Sequence, residues 1–152
     1  MITQITKADY ADKAKRNDLL TEKIIGCCFR IHRELGPGFP EKVYQSALGA
    51  SLRAVGLSVE TERYFDVFFE GKTVGEFRVD LLIESGVILE VKAVTGIMPK
   101  VYAAQLLAYL KAARLPVGLL SNFGNPSCQV KRIVHSSAKS ALRAAPTRGE
   151  LA

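Results

Sequence analysis

The 152-residue sequence is poor in the features that mark several large classes of protein. No apolar run approaches the roughly 20 residues needed to span a bilayer, so no membrane segment is expected. The opening stretch, MITQITKADYADKAKR, has no apolar block of the secretory kind. Cysteine is scarce: three residues, two of them adjacent as Cys27-Cys28. They do not make a disulfide framework, and without a Cys-x-x-Cys or a His cluster they do not make a zinc site. They are expected as small core residues of a reduced, cytoplasmic protein. His32 has no second His at metal-ligand spacing and is expected at a helix surface or edge. There is no internal repeat and no aromatic-rich motif that would read bases. Acidic residues are outnumbered, 15 against 21 basic, and the resulting net charge of +6 favours a polyanionic partner without identifying one.

What remains is an ordinary globular composition, with 48% hydrophobic and 24% charged residues, on a chain long enough for one domain with a real core. Residues 1–17 are polar and expected to fray. From about Asp18, Leu19, Ile24, Ile25, Cys28, Phe29 and Ile31 recur at helical spacing. Leu35-Gly36-Pro37-Gly38 stops that helix. A second helix, with Pro40 in its first turn, carries Val43, Tyr44, Ala47, Leu48, Ser51, Leu52 and Val55 and ends at Gly56. Short strands are expected at 57–63, 65–70 and 73–77, with a turn at Glu70-Gly71-Lys72. Pro99 opens a further helix whose apolar side is read as Val101, Ala104, Leu107, Ala108 and Leu110; Gln105 and Tyr109, at i and i+4, share a face. Val117 to Ser121 reads as a buried strand parallel to an earlier one, and Cys128 to Val134 as an edge strand. The expected division is a domain over 18–135 and a flexible tail over 136–152.

The stretch Arg78–Lys92, RVDLLIESGVILEVK, reads as two apolar strands interrupted by Asp80, Glu90 and Lys92. Alternate residues of a strand share a face, so Glu90 and Lys92 lie together. A two-residue loop at Ser85-Gly86 would put Asp80 on the other face. A three-residue loop, Glu84-Ser85-Gly86, pairs Asp80 with Glu90 and Arg78 with Lys92, and Gly86 suits its left-handed third position. This register gathers Arg78, Asp80, Leu82, Ile88, Glu90 and Lys92 on one face, with Val79, Leu81, Ile83, Val87, Leu89 and Val91 on the other. Opposed carboxylates destabilise a sheet. A hard divalent cation would remove that cost, and Mg²⁺ typically uses one or two carboxylates with waters and phosphate. Alone, Glu-x-Lys is a common surface pattern, and Glu41 in a helix's first turn is favoured by the helix dipole whatever its role.

Taken in order, Gly38-Phe39-Pro40-Glu41-Lys42-Val43-Tyr44, Arg78-Val79-Asp80, Glu90-Val91-Lys92, and Gln105 with Tyr109 resemble the GxxExxY family. These are small bacterial and archaeal proteins assigned to the PD-(D/E)xK nuclease superfamily. The resemblance covers roughly residues 18–134. It implies an α/β (α+β) restriction-endonuclease-like fold, with helices flanking a central mixed sheet of five or six strands in the order ααβββ(β)αββ. It implies a Mg²⁺ (or Mn²⁺) ion on Asp80, Glu90 and the Val91 backbone carbonyl, with Glu41 acting through water. Lys92 would position the attacking water, Gln105 would orient a ligand, and Arg78, Tyr44 and Tyr109 would support the site. The Pro that usually precedes the first acid is replaced by Val79. The implied activity is hydrolysis of DNA, less readily RNA. Basic side chains (Lys100, Lys111, Arg114, Lys131, Arg132 and those of the first helix) are expected to hold the backbone. The alternative is a non-catalytic nucleic-acid- or protein-binding module on the same fold. A homodimer is expected through the apolar side of the first helix or through the edge strand 128–134.

Overall fold

Glycines stop two helices and a proline stands at the start of each of the later two. The computed structural model describes residues 6–135. Its elements are α1 (Lys7–Leu35), α2 (Glu41–Ala54), β1 (Val59–Phe69), β2 (Lys72–Ile83), β3 (Val87–Lys92), α3 (Lys100–Ala113), β4 (Val117–Asn122) and β5 (Gln129–Val134). α1 closes on Gly36, left-handed at φ +70°, whose N–H donates to the His32 carbonyl at 2.8 Å. Pro40 stands at the N-cap of α2, one position before the helical turn expected to contain it. Glu70-Gly71, both at positive φ, make the two-residue turn between β1 and β2.

The strands form one mixed sheet in the order β1-β2-β3-β4-β5. β3 and β4 run parallel, joined across the sheet by α3, and the other pairs are antiparallel. α1 and α2 cover one face, where Ile24, Cys28, Tyr44 and Leu48 pack with Leu81, Leu89 and Leu119. α3 covers the other, with Leu106 and Leu110 against Val79, Leu82, Ile88 and Leu120. This is the restriction-endonuclease-like mixed sheet between helices that the sequence implies. Cys27, Cys28 and Cys128 are free thiols buried in the α1–α2 side of the core. Burial pushes the Cys128 thiol up to about 11. It raises Cys28 as well, ahead of the charges of Cys128 and Cys27.

Several expectations need correction. The first helix begins at Lys7 rather than near Asp18. Its early turns carry few apolar residues, so hydrophobic periodicity does not register them. The strands expected at 57–63 and 65–70 are a single strand, β1. His32 is only 6% exposed, and its Nε2 donates to the Asn125 carbonyl at 2.8 Å. On α3 the buried residues are Leu106 and Leu110, while Val101, Ala104 and Ala108 face outward; an alanine-rich helix offers little contrast between faces. Most of the apolar side of α1 packs inside the chain, while Leu19 and Phe29 are exposed. The tail expected over 136–152 lies outside the described residues. Among the described residues no helix is long and apolar enough to cross a membrane.

Candidate active site

The turn between β2 and β3 determines which side chains face each other. Ile83 pairs with Val87, Leu82 with Ile88 and Leu81 with Leu89, so residues 84–86 form the three-residue loop. The left-handed positions, however, are Glu84 (φ 52°) and Ser85 (φ 51°), not Gly86. Ser58 holds Glu84 in place: its carbonyl accepts the Glu84 N–H at 2.9 Å, and its own N–H and hydroxyl donate to the Glu84 carboxylate at 3.3 Å.

The paired positions of β2 and β3 stop at Leu81 and Leu89, and just beyond them the two acids meet. The Val91 N–H donates to Asp80 Oδ2 at 2.8 Å, and the Asp80 N–H donates to Glu90 Oε1 at 3.1 Å. Each carboxylate thus binds the backbone of the opposite strand where no further Cα pairing follows. Arg78, expected opposite Lys92, has no Cα partner on β3; on its other side it pairs with Tyr64 of β1. Val79 packs on the α3 side with Leu82, not with Leu81 as strict alternation requires. The alternation breaks at Asp80, where the β1–β2 pairing skips from Thr61–Leu81 to Arg63–Val79.

Glu90 is 6% exposed. Burial, and then the Asp80 charge, push its carboxyl up to about 8, opposed by the Asp80 N–H and by Lys92. The Ser121 hydroxyl, fully buried, donates to the Glu90 carbonyl at 2.8 Å. The Lys92 ammonium sits 4.3 Å from the centre of the Tyr102 ring, a cation–π contact. On α3, Tyr102, Gln105 and Tyr109 fall on one face at i, i+3 and i+7. Tyr109 stacks on Phe77 at 4.3 Å, and its hydroxyl pKa is raised by burial and then by the charges of Glu90 and Asp80. Gln105, between the two tyrosines, is exposed.

From α2, the buried Gln45 donates to the Asp80 carbonyl at 3.4 Å. Glu41 lies one turn earlier on the same face and is exposed. Tyr44 secures the approach to this helix: its hydroxyl donates to the Gly36 carbonyl at 2.6 Å and accepts the Phe39 N–H at 3.2 Å. Its ring stacks on Phe123 at 4.6 Å. The structure therefore brings Asp80, Glu90 and Lys92 together with Tyr109 beside them. Glu41 remains outside that cluster: among the described residues no group of three or more His, Cys, Asp or Glu could hold an ion. Two adjacent carboxylates, one of them buried and resisting ionisation, are nevertheless a donor set that Mg²⁺ accepts with waters and phosphate. Sequence reasoning missed Gln45 and Tyr102. The signal for each was helical spacing, four residues after Glu41 and three before Gln105.

A family model of the PD-(D/E)XK nuclease superfamily matches residues 18–133. No curated protein matches. Among solved structures, the crystal structure of SSO0001 is similar, with 17% identity and a TM-score of 0.51 over 70% of this chain. The match spans 60% of that structure's length, and at this identity it concerns the fold alone.

Proposed function

The chain belongs to the PD-(D/E)XK nuclease superfamily, and from that premise we propose that it hydrolyses phosphodiester bonds of DNA in the presence of Mg²⁺ or Mn²⁺. Within the superfamily we infer the GxxExxY kind, on Gly38, Glu41 and Tyr44. The observation that carries the reading is the reciprocal pairing of Asp80 and Glu90 where the β2–β3 pairing ends, with Lys92 on the same strand as Glu90. Asp80, Glu90 and the Val91 carbonyl would hold the ion, with Glu41 reaching it through water. When bound, a divalent ion supplies charge neutralisation at the scissile phosphate and acidifies a water. Lys92 orients the attacking water and offers a cation where charge develops on the phosphate oxygens. Gln105 hydrogen-bonds the substrate from α3, and Tyr109 borders the site beside it. Arg78 and the exposed basic side chains hold the phosphate backbone, a sequence-independent contact. Arg132 is already engaged, donating to Asp18 at 2.6 Å. The edge strand β5 is the proposed contact of a homodimer.

The test is turnover of plasmid, linear, single-stranded and branched DNA, and of RNA, with Mg²⁺, Mn²⁺ or EDTA. Metal-dependent cleavage is expected, reduced about a hundredfold or more in Asp80→Ala and Lys92→Ala. Full wild-type rates in both variants would refute the assignment. DNA binding that is equal in EDTA and never leads to cleavage would establish the non-catalytic binding module instead.

A further inference from the structure

Among the described residues, five other than glycine have positive φ: Glu62, Glu70, Glu84, Ser85 and Arg114. Four have an ordinary reason. Glu70 lies in the β1–β2 turn, Glu84 and Ser85 in the β2–β3 turn, and Arg114 caps the end of α3. Glu62 does not: it lies in the middle of β1 at φ 53°. A residue with a Cβ is disfavoured there and persists only where its surroundings require it. Its place is specific, because the β1–β2 pairing skips Glu62 opposite Asp80.

The Glu62 side chain has a partner on α2. Its carboxylate accepts the Lys42 ammonium in an ion pair, with the Arg78 charge nearby. Lys42 and Gln45 stand at i and i+3 on α2, and Gln45 donates to the Asp80 carbonyl. The Glu62 carboxylate on β1 therefore holds Lys42 in α2's first turn, and Gln45, one step along that helix face, reaches the backbone of the first acid.

We propose that Glu62 is a positioning residue: its left-handed backbone turns its carboxylate onto Lys42, which holds the start of α2, and with it Glu41 and Gln45, against the Asp80 segment of β2. Its consequence for catalysis rests on the nuclease reading, whereas the anchoring does not. Two variants separate the anchor from the strain. Glu62→Gly permits the backbone conformation and removes the side chain. Lys42→Glu combined with Glu62→Lys reverses the ion pair and leaves Gln45 on the Asp80 carbonyl.

In metal-free protein, Glu62→Gly is expected to keep or raise Tm while amide hydrogen exchange at residues 45–48 accelerates about tenfold, with α3 unchanged. With metal, kcat should fall about tenfold at a KM within about twofold of wild type. The charge-reversed double variant should restore slow exchange. A Glu62→Gly protein with wild-type exchange overturns the proposal, and so does a reversed pair as loose as the single variant. Loosening of α2 in Glu62→Gly, in a protein whose wild type cleaves nothing, would leave the anchor standing and remove the nuclease reading.

Discussion

Glu90 is the residue on which burial and charge act most plainly. Its carboxyl stands at about 8 in the folded chain against an ordinary 4.5. The folded state therefore holds a proton that the unfolded state has released between those values, and stability falls as pH rises through that window. The stabilisation is complete below about 4.5 and gone above about 8, a difference on the order of a few kcal/mol. Glu90→Gln keeps an oxygen to accept the Asp80 N–H and removes the titration. Thermal melts in EDTA from pH 5 to 8.5 should show wild type losing stability with pH and Glu90→Gln losing much less, the variant being the more stable at pH 8. An ordinary structural ion pair would give the opposite sign. The meeting of Asp80 and Glu90 was legible from a three-residue loop, although the left-handed Gly86 that argued for that loop is not found. The loop's conformation was not, because Ser58, on another segment, holds Glu84 and moves the left-handed positions off the glycine.

Among the elements, the ends of β3 and β4 are tied together in a way that bears on Lys92. The Phe123 N–H donates to the Lys92 carbonyl at 2.8 Å. The Asn122 side chain accepts the Val94 N–H at 2.8 Å, donates to the Val94 carbonyl at 3.0 Å and also accepts the Gly124 N–H at 3.1 Å. At Gly124 the chain passes so near Val94 that an added Cβ would lie 2.5 Å from its backbone N, C and O. Gly124→Ala should therefore cost about 1–3 kcal/mol and displace the segment after Lys92, read as a lower denaturation midpoint with reduced cleavage. Gly26→Ala is the control: it lies inside α1 with nothing within 4 Å of an added Cβ, and should gain about 0.5–1 kcal/mol. This tie was invisible in the sequence, since nothing in the residues between the strands expected at 117–121 and 128–134 marks Asn122 as a partner of Val94. The order of elements was legible because glycines and prolines mark the ends of the helices. The buried face of α3 was not, because Val101, Ala104 and Ala108 look as apolar as the residues that are buried.

For the whole molecule, chain order revealed the layers better than local pattern did. A helix between two buried strands is the usual form of a parallel crossover, and β3–α3–β4 is one. The partners of each acid depended on contacts between segments far apart in sequence, which spacing does not encode. The three buried thiols give this architecture a chemical clock. Cys27 and Cys28 ride on the first helix, and Cys128 directly precedes the last strand, so the reagent-accessible state of all three requires one layer to part. Alkylating reagents attack the thiolate, and burial suppresses it at Cys28 and Cys128. Maleimide capture should accordingly proceed at one common rate set by unfolding rather than by reagent concentration, and mass spectrometry would show chains carrying either no label or three.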